Sequence, residues 1–286
     1  MRWAEIKIET TAQAQDAVAD ILIRNGCTGV ALKGEAPVEV KCYLPEDDRL
    51  EARLLAVKEE LHRLPDFGLS AGDVTVNTVE DQDWAESWKQ YFHTTRAGAH
   101  LVVKPTWEDY APERGDIVIE LDPGMAFGTG NHATTRLCLI ALEKYMRPRR
   151  LVVDFGTGSG ILAIAAVKLG AALVIAFDSD PIAVKAAREN VVRNNTDERT
   201  EVHQAESPAF INKQADMVTA NIVAETIMEN AEVISGLLKL GGILIASGIT
   251  EGKSFNVEQV LKNEGFDIKE KLQEGEWVAL VAIKAR

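Results

Sequence analysis

Residues 151–160 read LVVDFGTGSG, and a helix-like segment, ILAIAAVKLG, follows directly. The apolar run ends at Asp154, and glycines then stand at positions 156, 158 and 160. Glycines at such a turn let a ligand approach the backbone closely and let the chain turn sharply. The dinucleotide fingerprint is G-x-G-x-x-G, whereas the spacing here is G-x-G-x-G after an acid. The turn therefore predicts a ligand site at the end of a strand.

A second acid follows the next apolar segment, LVIAFD, which ends at Asp178. A carboxylate at the end of the second strand can accept hydrogen bonds from both ribose hydroxyls of a nucleoside. The glycine turn and Asp178 together indicate an adenosine ligand, as in sites for NAD or S-adenosylmethionine. The alternative role for Asp178 is a strand-end cap. Asp180 is expected to cap the helix that Pro181 opens.

The elements that would hold these residues alternate between strand and helix from residue 100 onward. HLVVKPTW and DIVIELD are predicted to form a hairpin, and a glycine-rich loop at 123–130 precedes a helix over about 133–146. The following strands are LVVDF, LVIAFD, TEVHQ, DMVTAN and GILIAS, and the helices between and after them are predicted at 160–169, 181–194, 223–239 and 253–264. This alternation is typical of a doubly wound parallel sheet of the α/β class.

The last two predicted strands, FDIKEKL and WVALVAIKA, are joined only by residues 273–276. So short a connection allows only an antiparallel pair. A seven-stranded Rossmann-like sheet with a reversed last strand is associated with methyltransferases that use S-adenosylmethionine, so the fold favours that cofactor over NAD by analogy.

Residues 1–80 form a separate predicted unit with the order β-α-β-β-α-β, the ferredoxin-like α+β arrangement. The unit contains nine Lys and Arg and fifteen Asp and Glu, a net charge of −6, and VEVKCYL offers only Tyr43 for base stacking. We therefore expect it to recognise a protein substrate and not RNA, with a structural appendage as the alternative. Residues 81–99 are predicted to form a linker helix, in which Trp84, Trp88 and Phe92 share one packing face.

The whole chain of 286 residues has a formal net charge of −13, which argues against a bare nucleic-acid surface. It contains no apolar run of the roughly 20 residues that cross a bilayer and no apparent secretion signal. Its three cysteines suggest neither a zinc site nor a disulfide framework. We expect a cytoplasmic, monomeric protein that contacts no membrane and binds no metal.

Three stretches resemble the bacterial ribosomal protein L11 methyltransferase family. They are LDPGMAFGTGNHATTRLCL (121–139), VVDFGTGSGILAIAAVKLGA (152–171) and ADMVTANIVAETI (215–227). DWAESWKQYF fits the linker of that family, and the N-terminal unit fits its substrate-recognition domain. The resemblance implies an S-adenosylmethionine-dependent methyltransferase domain over 100–286, which transfers methyl groups to the N-terminal amine and lysine side chains of a basic large-subunit ribosomal protein and leaves S-adenosylhomocysteine.

The resemblance also implies a set of cofactor-binding residues: Thr135, Gly156, Thr157, Gly158, Asp178 and Asn221, with Phe127 in a loop beside the cofactor. The Thr135 hydroxyl would reach the methionine carboxylate or amine, and the Phe127 ring would cover adenine or the sulfonium. Many amine methyltransferases carry Asn-Pro-Pro-Tyr where this chain has Asn221-Ile222-Val223-Ala224. Asn221 is therefore expected to contact the cofactor or the acceptor amine, with a helix cap as the alternative.

The residues identify no general base for the transfer. Glu225 is a weak candidate, with a solvent-exposed helix position as its alternative role, and His132 is expected to make local hydrogen bonds. Two other activities stay open: methylation of a small amine, and hydride transfer with NAD. A non-enzymatic interaction protein is the remaining alternative.

Overall fold

The computed structural model describes residues 2–27, 30–34, 37–80, 92–122, 130 and 132–286. The chain divides into two compact units, residues 1–91 and 92–286. Most of the predicted linker helix, with Trp84 and Trp88, lies outside the described residues. Its last residues are not helical, because 95–97 form a strand of the second unit.

The first unit has the order strand, helix, strand, strand, helix, strand. Its elements are β1 (Arg2–Thr10), α1 (Gln15–Arg24), β2 (Val30–Lys33), β3 (Val38–Pro45), α2 (Leu50–Leu61) and β4 (Ala71–Glu80). The strands form one antiparallel sheet in the order β2-β3-β1-β4. Because apolar and polar residues alternate along β3, the strand has one buried face, which packs on Val18, Leu22 and Val57 of the helices.

Cys27 and Cys42 form a disulfide in the core of this unit, with Cα atoms 6.2 Å apart. We predicted no disulfide framework from the sequence, and for this pair the prediction was wrong. Its two cysteines are separated by 15 residues in the sequence and belong to no recognised spacing. They meet because Cys27 lies three residues after the end of α1, which packs on the face of β3 that contains Cys42.

The second unit is built on a seven-stranded sheet. Its strands are β8 (Leu151–Phe155), β9 (Leu173–Asp178), β10 (Thr200–Gln204), β11 (Ala215–Asn221), β12 (Leu238–Thr250), β13 (Phe266–Glu274) and β14 (Trp277–Lys284). Their order is β10-β9-β8-β11-β12-β14-β13. All neighbours are parallel except those of β14, which runs antiparallel to both β12 and β13. The predicted antiparallel pair is confirmed, and β8 and β11 meet where the chain reverses its direction of travel through the sheet.

The pairing of β12 with β14 contains an irregularity. Ala246 pairs with Leu280 and Ile249 with Val278, so two residues of β12 oppose one of β14. Such an extra residue is a β-bulge. Gly248 lies in it with φ at 84°, and a Cβ there would meet the backbone of Ile222.

A three-stranded sheet of β5 (Thr95–Ala97), β6 (Leu101–Pro105) and β7 (Ile117–Leu121) completes the strands of the second unit's described part. β6 and β7 are parallel, so the predicted hairpin was wrong. Their connection, residues 106–116, is long enough to return the chain to the same end of the sheet. It is held there by Asp116, which accepts hydrogen bonds from Arg96 at 2.7 Å and from Tyr110 at 2.5 Å.

The helices of the second unit are α3 (Ala133–Tyr145), α4 (Ile161–Lys168), α5 (Pro181–Arg193), α6 (Ala224–Glu229), α7 (Ala231–Leu237) and α8 (Glu251–Asn263). Residues 161–167 of α4 are all buried, as expected for a helix enclosed in the core. The predicted single helix over 223–239 is two helices that meet at Asn230, whose side chain bonds the Thr226 carbonyl at 2.9 Å. Among the described residues, no helix is long and apolar enough to cross a membrane.

Candidate functional site

A cavity of about 650 Å³ opens at the carboxyl edge of the seven-stranded sheet. It straddles the point between β8 and β11, where ligands bind in open α/β sheets. We call one part of its lining the glycine side: Phe155, Gly156, Gly158, Phe177, Asp178, Ser179, Ala205 and Glu206. The remainder is the far side: His132, Thr134, Asn221, Ile222, Val223, Ala224, Glu225, Thr226, Gly248, Thr250, Lys253 and Trp277.

The glycine turn follows β8, and Gly156, Gly158 and Gly160 have φ values of 69°, 54° and 84°. These left-handed conformations favour glycine because they carry no penalty without a Cβ. The backbone N–H groups of Gly156 and Thr157 both donate to the Phe177 carbonyl at 3.0 Å. The turn is thereby fixed to the end of β9, and its backbone forms the wall of the cavity.

Asp178 ends β9 beside this turn. One carboxylate oxygen accepts the backbone N–H of Gly158 at 2.9 Å, and the other accepts that of Asp180 at 3.0 Å. Each carboxylate oxygen has a further lone pair. Asp178 is therefore oriented by the backbone and still able to accept hydrogen bonds from a ligand in the cavity. Asp180 caps α5 through the N–H of Ile182, as predicted.

Asp154 lies beneath the turn and is fully buried. Its two oxygens accept hydrogen bonds from the hydroxyls of Thr157 and Thr219, each at 2.6 Å. Burial raises the pKa of Asp154 to about 6, against the effect of the two hydroxyls, and the nearby Asp178 adds to the rise. Thr219 belongs to β11, so this carboxylate ties the glycine turn to the strand on the far side.

Asn221 ends β11 and lines the cavity. Its amide nitrogen donates to the hydroxyl of Thr135 at 3.2 Å, which fixes the orientation of the amide. Among the residues that the structure describes, its Oδ1 is buried and has no hydrogen-bond partner. A buried carbonyl oxygen of this kind calls for a donor from a ligand.

Trp277 reaches the far side because β14 is antiparallel. As the first residue of that strand it pairs with Thr250, the last residue of β12. Its ring makes an edge-on contact with His132, at 4.9 Å between centroids. His132 itself is the N-cap residue of α3, where its Nδ1 accepts hydrogen bonds from Thr134. The predicted local role of His132 is therefore present, together with a position on the cavity wall.

Glu225 and Lys253 form an ion pair on the far side, 2.5 Å between Oε1 and Nζ. Glu225 lies in the first turn of α6 and Lys253 in the first turn of α8, and each side chain is about half exposed. The hydrogen bond from Lys253 lowers the pKa of Glu225. A carboxylate with a lowered pKa is a poor general base.

Asn190 of α5 supports the glycine turn through hydrogen bonds that were not predicted from the sequence. Its side chain is fully buried, and it bonds the Ser159 carbonyl at 2.9 Å and the backbone of Asp122 at 3.0 and 3.2 Å. It thus joins the glycine turn to the end of β7. A signal in the sequence would have been an amide at a buried helical position, since such a group needs partners.

The structure brings four predicted site residues to the cavity wall: Gly156, Gly158, Asp178 and Asn221. Thr135 and Thr157 are buried behind the wall, where they hold Asn221 and Asp154. Phe127 lies outside the described residues. Trp277, Thr250 and Lys253 were not predicted, because their closeness to Asn221 depends on how distant strands and helices meet.

Comparison with known proteins identifies the family. Residues 2–285 match the family described as "Ribosomal protein L11 methyltransferase (PrmA)". Proteins named ribosomal protein L11 methyltransferase from Bacillus cytotoxicus and Alkaliphilus oremlandii are 40% and 41% identical, over 100% and 99% of this chain and 100% and 98% of theirs. The chain belongs to this family.

A crystal structure of ribosomal protein L11 methylase from Lactobacillus delbrueckii subsp. bulgaricus agrees with that membership. It is 36% identical, with a TM-score of 0.64, and the match covers 68% of this chain and 100% of that one. Membership confirms the predicted family and the predicted enzyme class, a methyltransferase that uses S-adenosylmethionine. Within the described ranges, no three His, Cys, Asp or Glu side chains are grouped to hold a metal ion.

Proposed function

We propose that this protein transfers methyl groups from S-adenosylmethionine to amino groups of ribosomal protein L11, namely its N-terminal amine and lysine side chains. The observation that carries the proposal is that Asp178 and Asn221 line one cavity, in a chain whose relatives bear the name of that activity. Methylation of a small amine is the competing proposal, because the cavity walls themselves do not require a protein acceptor.

The residues of the glycine side fit the nucleoside part of this cofactor. The carboxylate of Asp178 would accept the ribose hydroxyls, and its two backbone hydrogen bonds keep it in position. The rings of Phe155 and Phe177, stacked at 4.7 Å, give an apolar surface suited to a purine. Asn221 Oδ1 would accept a hydrogen bond from the ammonium group of the methionine part, which satisfies its unpaired buried oxygen.

When bound, the cofactor supplies a methyl group on a positively charged sulfonium, and the leaving group is a neutral thioether. The protein's task is mainly to hold the acceptor nitrogen in line, and positioning alone lowers such a barrier by several kcal/mol, on the order of 7–11 at best. The nitrogen must lose a proton before it attacks, since a lysine has a pKa of about 10.4. Glu225 does not serve as the base in this proposal, because its pKa is lowered by Lys253.

The first unit is proposed to be a ferredoxin-like domain that binds the acceptor protein. Its order of elements and its strand order β2-β3-β1-β4 support that assignment, and its net charge of −6 over residues 1–80 suits a basic partner. The same acidic balance supports the proposal that the protein binds no nucleic acid directly. A cytoplasmic location, a monomeric state and the absence of a metal requirement belong to the proposal.

The test combines two measurements on the purified protein. Mass spectrometry of ribosomal protein L11 after incubation with S-adenosylmethionine should show mass increases of one methyl group each at the N-terminus and at lysines. Calorimetric titration should show binding of S-adenosylmethionine and none of NAD. Binding of the cofactor without methylation of L11, but with methylation of free lysine, would replace the protein acceptor by a small amine.

A further inference from the structure

The far side of the cavity carries one feature that cofactor binding does not use, the ion pair between Glu225 and Lys253. Both side chains line the same cavity as Asn221 and Asp178. The pair joins the first turns of two helices that follow different strands, α6 after β11 and α8 after β12.

A lysine ammonium within the cavity has the same chemistry as the group that the proposed acceptor presents. Lys253 holds that ammonium 2.5 Å from the carboxylate of Glu225, in a cavity that Trp277 also lines. Each of the two charged side chains is 51% exposed, so the pair is in reach of water and of an incoming side chain. Exposed pairs of this kind contribute little net stability, so a competing cation loses little by displacing one member.

We propose that Glu225 is a positioning residue that binds the cationic side chain of the acceptor. In the free protein, Lys253 occupies the position of that cation on Glu225. This inference rests on the proposed function and deepens it. An arriving lysine ammonium takes the place of Lys253 on Glu225, and Lys253 turns outward on its flexible stem into water. Because one ammonium–carboxylate pair replaces another, a cationic acceptor enters without leaving an unpaired carboxylate.

The exchange selects cationic acceptors. Glu225 stays paired with an ammonium group before and after it, so Glu225 does not act as the base. A neutral or acidic side chain would separate Lys253 from Glu225 without replacing the lost contact, so it would enter less readily. The acceptor binds protonated and gives its proton to water before the transfer. In the transfer the nitrogen lone pair forms the new N–C bond, and the electrons of the breaking S–C bond remain on sulfur.

The first test needs no acceptor protein. n-Butylammonium, which mimics a lysine side chain, is titrated into the full chain while the backbone amide of Gly248 is followed by NMR. Lys253→Met should bind n-butylammonium about fivefold more tightly than the wild type, an effect of the size of one exposed ion pair. Lys253→Arg should behave as the wild type, and Glu225→Gln should lose the binding. Equal affinity in the wild type and Lys253→Met would overturn the inference.

The second test is the methylation of ribosomal protein L11. Lys253→Met should lower the KM for L11 about fivefold, with kcat and the KM for S-adenosylmethionine unchanged. The double variant with Glu225→Gln should match Glu225→Gln alone. Lys185→Met, which removes the cation of an exposed pair with Glu189 on α5, is the matched control and should change nothing.

The two tests separate the two proposals. A wild type that binds n-butylammonium as described but transfers no methyl group to L11 contradicts the proposed acceptor and leaves the exchange standing. The exchange is contradicted, and the proposed function is retained, if the wild type methylates L11 while Lys253→Met gains neither affinity for n-butylammonium nor a lower KM for L11.

Discussion

The glycine side of the cavity comes from adjacent elements, whereas the far side is assembled from four separate parts of the chain. The turn after β8, the end of β9 and the residues after β10 follow strands that are consecutive in sequence and adjacent in the sheet. The far side brings together the start of α3, the end of β11 with the start of α6, the end of β12 with the start of α8, and the first residue of β14. The first is a local motif and the second is a product of the fold, so they should respond differently to substitution.

The largest effect should come from Asp178 on the glycine side. In the Asp178→Ala variant, we expect the Kd for S-adenosylmethionine to rise about 100-fold or more. The variant loses the two proposed hydrogen bonds from the ribose hydroxyls, and a hydrogen bond to a charged group contributes roughly 1.5–3 kcal/mol. Calorimetric titration measures it. Asp180→Ala is the control, since its side chain only caps α5, and it should lower Tm while leaving the affinity unchanged. An equal loss in both variants would mean that Asp178 acts only through folding.

Asp154 joins the two sides, and its effect should appear as pH-dependent stability. Its pKa is about 6 in the folded protein, above its ordinary value of 3.8. Between these values the folded state keeps a proton that the unfolded state has lost. The free energy of unfolding should therefore fall as the pH rises from about 4 to about 6, by roughly 3 kcal/mol in total.

Urea unfolding at a series of pH values tests this. The Asp154→Asn variant should lack that fall, whereas Asp197→Asn, at an exposed position, should retain it. If the Asp154→Asn protein kept the wild-type slope over this range, another group would be responsible for it.

The contact between Gly156 and Ile222 tests whether the two sides are separate at all. In Gly156→Ala the new Cβ would overlap the Ile222 side chain, at a φ of 69° that already disfavours alanine. We expect the affinity for S-adenosylmethionine to fall roughly tenfold, of which Ile222→Ala should restore part.

The control for this pair is Gly275→Ala, at a φ of 58° in a turn with open space around it. It carries the same backbone strain without the overlap, so the cofactor affinity should not change. No recovery in the double variant would show that backbone strain alone limits Gly156.

Trp277 should give the smallest effect, and one confined to the acceptor. Trp277→Leu removes the aromatic ring that contacts His132, and we expect the KM for L11 to rise about fivefold. The affinity for S-adenosylmethionine should stay within twofold of the wild type. Phe255→Leu, at an exposed position on α8, is the control. A comparable loss of cofactor affinity in Trp277→Leu would remove the distinction between the two sides.

This difference also accounts for how far the sequence could be interpreted. The glycine turn, Asp178 and the antiparallel last strands were predictable because each depends on spacing within a short stretch. The direction of β6 against β7 was not, because a connection of intermediate length permits either pairing. The break at Asn230 was missed because the apolar pattern continues through it, from Ile227 to Ile234.

The far side was missed for a related reason. Lys253 and Trp277 have no pattern that distinguishes them from surface and core residues, and only the sheet order brings them to Asn221. Thr135 was identified through the family resemblance, yet its contact is with Asn221 and not with the cavity. From the sequence, a residue that supports the cavity wall is hard to distinguish from a residue that lines it, because both are polar and both lie near the same turn.

The bulge at Gly248 determines which residue of β12 lies opposite Trp277 on the far side. Its one extra residue brings Thr250, and not Ile249, opposite Trp277. If the same residues paired with β14 without the bulge, Ile249 would stand opposite Trp277, since a shift of one position exchanges the faces of a strand. The register of this strand end is therefore as important for the far side as the identity of its residues.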